Sequence, residues 1–484
     1  MWRYRHTALR FVLVANLISH SVAYALMQTG SGCPLPGSLA DPGKINASLI
    51  VECLRNDQPI QIKNAEITGD LDLTSLGQGD LSGSIQVAVP VIITDSRFTG
   101  MVIGSNTEFK QVVNFSRTQF KNLVDFSQTQ FDAGVSFNQA DFSSEAYFFL
   151  TQFSGGADFI ETHFRQGANF LQARFAKDSN AFFLKAIFDG DTLFNSALFA
   201  APAIFTQTKF KGSVQFDGAV FQDDASFREA SFERATPNET VSFTGASLTM
   251  LDINKAQFAV KQLDLSSASY KSLTGLTFNP DVLAESKDAD IQRTTLVNLE
   301  SNFRSQNLLS IANEIAYQRH LLERKAKPPA LQGLEYLTLD LPFGYGLKPM
   351  RTILASLILI LFFSLFYYPV DTIRPAPVAP PKPRERRLAM RISEMPVARD
   401  DEFPDLVKKE PMLRQKFPRI SRALQAIIFS FGVFTKISWG EFVAVKHKTV
   451  VLIEWLLGLV MLGGLVFALT NTNPLVNALF KAIF

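Results

Sequence analysis

The sequence predicts a β-solenoid followed by a helical connector and a module with two membrane-spanning helices. Three features of the 484-residue chain indicate this fold class. Phenylalanines recur at a fixed spacing through the first half of the chain, and two apolar stretches lie near the C-terminus with a proline-rich charged segment between them.

The phenylalanine ladder predicts the solenoid. From Phe109 to Phe175, and again from Phe183 to Phe232, the steps between phenylalanines alternate between six and five residues. On a helix, such steps would place successive rings about 140° and 240° apart, because each residue turns roughly 100°. On a strand, a step of five would move the ring to the opposite face. A chain that turns a corner after each short strand sends every ring inward, which is typical of a solenoid. The predicted core includes Phe115, Phe120, Phe126, Phe131, Phe137, Phe142, Phe159, Phe170, Phe194 and Phe216.

The residues beside each phenylalanine agree with this interpretation. A small residue, such as Thr118 or Ala140, stands two positions before each phenylalanine that ends a shorter step, and we expect it to pack beside the ring. The residue directly before each phenylalanine is mostly polar, as at Gln119, Asp125 and Asp158, and is predicted to face water.

These units resemble those of the pentapeptide-repeat family. Residues 140–142, 157–159 and 168–170 match the family motif, which is Ala, then Asp or Asn, then Leu or Phe, then two variable residues. The resemblance implies a right-handed quadrilateral β-helix with four short sides per coil. The sixth residue in alternate units predicts about 22 residues per coil instead of about 20, and the sequence leaves open which corner takes it. We place the solenoid at residues 58–273.

The N-terminus has the features of a secretory signal peptide, which we place at residues 1–25. A basic start precedes a short apolar stretch, and Ala23-Tyr24-Ala25 is a small-x-small cleavage site. The alternative is an uncleaved anchor, and either interpretation places the solenoid on the exported side.

The two cysteines, Cys33 and Cys53, both fall in a predicted N-terminal cap at residues 26–57. In an oxidising compartment, two cysteines that flank a loop indicate a disulfide. It would tie down the segment that covers the first coil, since open solenoids need capped ends. The alternative is two unpaired buried thiols.

A helical connector is predicted at residues 274–349, because apolar residues recur at helical spacing from Ala289 to Lys325. Such a helix packs on the last coil of the solenoid or, alternatively, serves in oligomerisation.

Two spans are predicted, at residues 350–370 and 448–470, with a tail at 471–484. The second span contains one acid, Glu454. A charge inside a span is costly and usually paired or functional, but Glu454 lies in an early turn, so a solvated residue at the membrane surface is the alternative. The loop at 371–418 is rich in proline and in Lys and Arg, which predicts that it lies in the cytoplasm.

A pore-like segment is predicted at residues 419–442. Ser421 to Phe434 is apolar but too short to span, and a filter-like run follows it. This arrangement resembles the pore domain of tetrameric cation channels, whose filters use rings of backbone carbonyls. The pore candidates are Thr435, Lys436, Ile437, Ser438, Trp439, Gly440, Glu441 and Glu454.

Three departures from the channel filter argue against selective potassium conduction. Ser438 stands where the filter has a glycine with unusual backbone angles. Trp439 replaces a tyrosine, which is a milder change. Lys436 replaces a coordinating threonine, and its ammonium group would repel potassium in a low-dielectric pore. The triplet Gly344-Tyr345-Gly346 precedes the first span and is predicted to be a loop, not a filter.

The sequence contains no phosphate-binding loop, dinucleotide fingerprint or HExxH motif, and its five histidines form no metal-spaced pair. No catalytic residue, cofactor or metal is therefore predicted. Acids and bases are interspersed along the repeats, which argues against DNA mimicry and a nucleic-acid partner.

Together these features predict a non-catalytic, membrane-anchored protein whose exported repeat rod binds a protein partner on its faces. The alternative is an oligomeric channel-like protein, a tetramer if it forms a pore, with the rod as a regulatory ectodomain. The expected location is a membrane, such as a bacterial inner membrane, with the rod in the periplasm or a lumen.

Overall fold

The computed structural model describes residues 43–77, 85–177, 180–233, 240–275, 278–369, 373–375, 418–435, 442–444, 448–473 and 475–476. The signal peptide, Cys33, most of the proline-rich loop and residues 436–441 lie outside these described residues. The chain divides into two compact units, one up to Gln306 and the other from Asn307.

The first unit is a parallel-strand β-solenoid of about 10 turns, which confirms the predicted fold class. Its short strands stack into four faces, numbered in the order in which the chain visits them. The first face contains Ile60–Lys63, Val91–Thr94, Val113–Asn114, Val135–Ser136, Ala157–Asp158, Ala181–Phe182 and Ala203–Ile204. The second face contains Gly43–Asn46, Ala65–Thr68, Arg97–Phe98, Gln119–Phe120, Asp141–Phe142, His163–Phe164, Ile187–Phe188, Lys209–Phe210 and Ser231–Phe232.

The other two faces complete each coil. The third contains Leu71–Asp72, Val102–Ile103, Val124–Asp125, Ala146–Tyr147, Ala168–Asn169, Thr192–Leu193, Val214–Gln215, Val241–Ser242 and Leu263–Asp264. The fourth contains Ile85–Val87, Thr107–Phe109, Gln130–Phe131, Gln152–Phe153, Arg174–Phe175 and Leu198–Phe199. Near the C-terminal end, the longer strands Val220–Ser226, Ser247–Asp252 and Ser269–Thr274 run across the corner between the fourth and first faces.

The register between coils is set by the phenylalanine ladder. Gln119 pairs with Arg97, which lies 22 residues earlier, and most coils keep this offset. Longer coils occur where Ala157 pairs with Ala181 and where Val214 pairs with Val241. The rings remain aligned across the first of these insertions, because Phe159 stacks on Phe183 at a centroid distance of 5.0 Å.

The structure shows which corners take the sixth residue. The five-residue steps contain one residue in the left-handed conformation, such as Arg117 (φ 56°) between Phe115 and Phe120, or Gln128 (φ 59°). The six-residue steps through the same coils contain none. A residue in the left-handed conformation turns the chain into the next face within fewer residues. The corners that lack such a residue therefore need the additional one. The backbone N–H of Arg117 donates to Asn138 O at 2.8 Å, so the ladder between coils helps to hold this unfavourable conformation.

Phenylalanine rings and threonine hydroxyls fill the interior. All ten phenylalanines named for the core are at most 2% exposed. Phe159 stacks on Phe137 at 5.2 Å and meets Phe148 and Phe170 edge-on at 5.4 Å. The small residues have a further role, because the hydroxyl of the fully buried Thr162 donates to Phe137 O at 2.7 Å and joins two coils.

Asp158 departs from the expectation that residues before a phenylalanine face water. It is only partly exposed, and its register partner in the next coil is Phe182. Its Oδ1 accepts the backbone N–H of Ile160 at 2.9 Å. Burial raises the pKa of Asp158 to about 6, although this hydrogen bond acts to lower the pKa.

Helices border the solenoid in the chain. Helix α1 (Ala47–Arg55) begins at Asn46, whose side chain accepts the Ser48 N–H, and it buries Cys53. Cys53 is disulfide-bonded, while its predicted partner Cys33 lies outside the described residues. At the other end, a 3₁₀ turn (Pro280–Val282) leads to helix α2 (Ala289–Ser305).

Helix α2 packs on the last coil, which was one of the two alternatives for the connector. The Asn302 side chain accepts the Leu273 N–H at 3.0 Å and donates to Leu273 O at 2.8 Å. It thereby bonds to the backbone N–H and carbonyl groups that a further strand of the solenoid would otherwise have bonded. The helix expected from Ala289 to Lys325 is not continuous, since it ends at Ser305 and Asn307 adopts a left-handed φ of 61°.

The second unit is helical. It contains α3 (Leu309–Lys325), α4 (Pro329–Glu335), a π turn (Tyr336–Asp340), α5 (Leu341–Phe343), a 3₁₀ turn (Gly344–Gly346), α6 (Pro349–Tyr367), α7 (Pro418–Thr435) and α8 (Lys448–Thr472). Two short strands, Ile373–Pro375 and Phe442–Ala444, pair in antiparallel fashion. Helices α6, α7 and α8 pack against one another.

Replacing Phe159 tests whether the rings form the core. Phe159→Ala should lower the free energy of unfolding by about 3–5 kcal/mol, because it leaves a cavity between stacked rings. Gln152→Ala, an exposed position in a neighbouring strand, should change it by no more than about 0.5 kcal/mol. Urea unfolding of the full-length protein, followed by circular dichroism, measures both values. Equal small effects would contradict a core built from these rings.

Candidate functional site

The three helices α6, α7 and α8 carry the candidate site. Two of them, at Pro349–Tyr367 and Thr449–Thr472, are long and apolar enough by length and composition to cross a membrane. Unlike helices that form the core of a soluble domain, they are mostly unburied, at 28% and 17% buried. Large apolar side chains point outward from both, including Leu354, Ile358, Leu365, Leu459 and Val460, all at least 56% exposed.

Helix α7 packs between the other two and ends about halfway along them. Phe434, in its last turn, packs against Ile360 of α6 and Met461 of α8, which lie near the middle of their helices. In the middle of α7, Ala426 packs against Tyr367, the last residue of α6. The second half of α7 therefore runs from the end of α6 to the middle of α6 and α8, which resembles the geometry of a re-entrant helix.

The close approach of α7 to α8 depends on Gly458. A Cβ atom at this position would lie 2.2 Å from the Phe434 carbonyl oxygen, which is shorter than any real contact. Gly463, five residues further along α8, has no atom within 4 Å of such a position. Gly458 and Gly463, two of the three glycines of α8, therefore differ in their surroundings, and of these two only Gly458 is needed for the backbone contact.

Glu454 lies one turn before Gly458 on α8 and is 0% exposed. The Tyr367 hydroxyl of α6 donates to its Oε2 at 2.7 Å, and its Oε1 contacts the Ser430 hydroxyl of α7. Ser430 Oγ also lies 2.8 Å from the carbonyl oxygen of Ile360. The structure therefore places Glu454 in the interior, not in solvent, and joins one residue from each of the three helices.

The surroundings of Glu454 supply hydroxyl groups in place of a counter-ion. Among the described residues, no lysine or arginine forms a salt bridge with it, and no cluster that could hold a metal ion is found. An uncompensated carboxylate in an apolar interior is unfavourable unless it is hydrogen-bonded or protonated. Chemically, the arrangement can position α7 and can bind a proton.

The filter-like residues are described only at their first position. Thr435 ends α7, and its hydroxyl donates to Phe431 O at 2.7 Å, within its own helix. Lys436, Ile437, Ser438, Trp439, Gly440 and Glu441 lie outside the described residues. The strand that follows them, Phe442–Ala444, pairs with Ile373–Pro375, so the chain returns to the end of α6 from which α7 enters.

A buried ionic cluster at the start of α6 has no counterpart in the sequence-based expectations. Asp340 accepts hydrogen bonds from Arg324 at 2.5 Å, Arg351 at 2.8 Å and the Tyr317 hydroxyl at 2.9 Å. Burial alone would raise the pKa of Asp340, but the hydrogen bonds from Arg324 and Tyr317 outweigh it and lower that pKa. In the sequence, the one feature that could have indicated this cluster is the position of Arg351 at the edge of an uncharged stretch.

The Gly344-Tyr345-Gly346 triplet forms a turn next to this cluster. All three residues have positive φ values, 52°, 57° and 74°. A Cβ atom at Gly346 would meet the ring of Phe467 in α8 at 2.4 Å. The triplet thus brings the chain close to α8 just before α6 begins.

These observations define a β-solenoid protein with a C-terminal module of apolar helices. A family model described as "Pentapeptide repeats (9 copies)" matches residues 105–151 and 205–236, both within the solenoid. The solenoid therefore contains pentapeptide repeats, and the two apolar C-terminal helices are compatible with a two-span module. Pentapeptide-repeat proteins are generally non-catalytic structural or interaction proteins. No curated protein matches the chain.

Gly458→Ala tests the contact between α7 and α8. The added methyl group must push the two backbones apart, and we expect a loss of about 1–3 kcal/mol in the stability of the helical module. Gly463→Ala is the matched control and should be neutral or slightly stabilising, since alanine favours helix. Thermal unfolding in detergent, followed by tryptophan fluorescence, measures both variants. Equal stabilities would show that α7 does not depend on this contact.

Proposed function

We propose that this protein is a non-catalytic membrane-anchored interaction protein, in which α6 and α8 span the membrane and the solenoid is an exported binding domain. The observation that carries the proposal is the outward-facing apolar surface of the helical module. In the described part of the solenoid, by contrast, the exposed large apolar side chains are limited to Met101, Val220 and Val260. A surface of this size needs lipid or another apolar surface to cover it.

The solenoid supports an interaction role because the residue types at outward-facing strand positions vary more than those at inward-facing positions. Inward positions repeat Phe, Thr, Ala and Val, while outward positions carry many residue types. One outward region, which we call the Phe182 patch, consists of Ile160, Phe182, Leu184 and Ile204. These apolar side chains are partly exposed on adjacent coils, and Phe182 and Ile204 are register partners. Such a patch suits a protein partner.

Two features of the sequence support the proposed orientation. The signal-like residues 1–25 favour export of the solenoid to a periplasm or lumen, and the basic loop at 371–418 favours a cytoplasmic position. In this topology, α6 runs inward, α7 enters from the cytoplasmic side and α8 runs outward. A bacterial inner membrane meets these requirements.

A second candidate function is an oligomeric ion pore, and the position of α7 favours it. A short helix that ends midway between two spans, followed by a filter-like sequence, is the arrangement of tetrameric channel pores. Such a pore would be weakly selective or non-conducting, because Lys436 and Ser438 depart from the channel filter.

Thiol labelling tests the anchored topology. We expect a membrane-impermeant thiol reagent to label Gln152→Cys, on the solenoid surface, in spheroplasts with intact membranes. Ser393→Cys, in the proline-rich loop, should react only after the membrane is opened. The unmodified protein is the control for its own cysteines. Labelling of Ser393→Cys from outside would overturn the topology, and release of the protein by alkaline carbonate would overturn membrane anchoring.

Bilayer recording tests the pore. If the protein is a tetrameric pore, Lys436→Thr should increase cation conductance, because it removes one ammonium group per subunit from a low-dielectric pathway. Arg374→Thr, which removes a charge from the strand after α6, is the matched control and should have a smaller effect. Absence of current in both proteins, together with a monomer in native mass spectrometry, would contradict the pore and leave the anchoring role.

A further inference from the structure

The contacts around Glu454 form a chain of oxygen atoms across the three helices. The chain runs from the Tyr367 hydroxyl to Glu454 Oε2, from Glu454 Oε1 to the Ser430 hydroxyl, and from there to Ile360 O. Glu454 and Ser430 are both 0% exposed, and Tyr367 is 2% exposed. Each of the three oxygen–oxygen contacts needs a proton between its two atoms.

Counting these protons determines the state of the carboxyl group. Ile360 O is a carbonyl oxygen and can only accept, so the proton in its contact comes from Ser430. A serine hydroxyl has a single proton, so Ser430 cannot also donate to Glu454. Tyr367 supplies the proton in its own contact. The remaining contact, between Glu454 Oε1 and Ser430 Oγ, is filled only when Glu454 itself carries a proton and donates it.

We propose that Glu454 is a proton-binding site, held as a neutral carboxylic acid that joins Tyr367 of α6 to Ser430 of α7. The ligand is a single proton, taken up by Glu454 Oε1 and released from the same atom. When it is released, Ser430 must turn to donate to the carboxylate, and its hydrogen bond to Ile360 O is lost. This proposal goes beyond the anchoring role and does not depend on ion conduction.

The electrostatic surroundings support the neutral form. Among the described residues, the titratable group that faces Glu454 from α6 is Tyr367, and α7 presents Ser430. Arg422 of α7 is exposed and lies eight residues before Ser430, about 12 Å along the helix axis. On its own helix, Lys448 is the first residue, more than a turn away. An ionised Glu454 would therefore be a buried charge with hydroxyl donors alone, which is costly in an apolar interior.

The sign of the pH dependence follows. Protonated Glu454 fills all three contacts, so the packing of α7 against α6 and α8 should be strongest at low pH. It should weaken as the pH rises and the proton is lost. In Glu454→Gln, the amide can donate to Ser430 and accept from Tyr367 at every pH, so it reproduces the protonated state and should lack this pH dependence.

Infrared spectroscopy of the full-length protein in lipid vesicles tests the proposal. At neutral pH, we expect the carbonyl stretch of a protonated carboxylic acid, which should shift in wild-type protein made with isotope-labelled glutamate and disappear in Glu454→Gln. Glu314→Gln changes a partly exposed glutamate of the same unit (43% side-chain exposure) that pairs with Lys348; it is the control and should keep the band. The label tests the site in wild-type protein even if a variant fails to fold.

Thermal unfolding over a pH series gives the second measurement. The unfolding temperature of the helical module should fall with rising pH in the wild type and in Glu314→Gln, but stay level in Glu454→Gln. Absence of a protonated-glutamate band from acidic to neutral pH would overturn the proposal. An unfolding temperature of Glu454→Gln well below that of Glu314→Gln at neutral pH would also overturn it, because it would show that the ionised form stabilises the module.

Discussion

The solenoid depends on one constraint, which is that each phenylalanine ring must stack on the equivalent ring of the next coil. Phe137, Phe159 and Phe183 form such a column with centroid distances of 5.2 and 5.0 Å. Because the rings fix the register, additional residues must be accommodated at the corners, as happens in the long coil before Ala181. Outward positions carry no such constraint and are free to vary, which allows one repetitive core to present a non-repetitive surface.

The ends of the stack need a different solution, because an open coil exposes unpaired backbone groups. At the C-terminal end, Asn302 meets both the N–H and the carbonyl group of Leu273 and so substitutes for the missing strand. An amide side chain can do this because it carries one donor and one acceptor group in the same spacing as a peptide bond. Helix α2 thus ends the repeat with Asn302, whose side chain takes the place of the backbone of a further strand.

The repeat could be predicted from sequence because its signal recurs in every coil, whereas the features that occur once could not. The corner with the left-handed residue contains a residue such as Arg117, Gln128 or Leu150 in most coils, and glycine occupies it only at Gly218 and Gly245, so it has no consistent sequence signal. Asp158 resembles its polar neighbours in the sequence, and its register partner Phe182 lies in the next coil, beyond an insertion. The partners of Glu454 lie 87 and 24 residues away, in separate helices, and a sequence shows no link between them. Its acidic character in an apolar stretch identified it as unusual, but not as buried.

Glu454 and Gly458 lie one turn apart on the same face of α8, and they act on α7 in complementary ways. Gly458 allows the two backbones to meet at Phe434, while Glu454 bonds to Ser430 one turn earlier in α7. The steric contact has no dependence on pH, but the hydrogen bond from Ser430 to Ile360 O of α6 depends on the proton of Glu454. Loss of this proton would therefore weaken the attachment of α7 to α6, while α7 keeps both of its contacts with α8, at Ser430 and at Phe434.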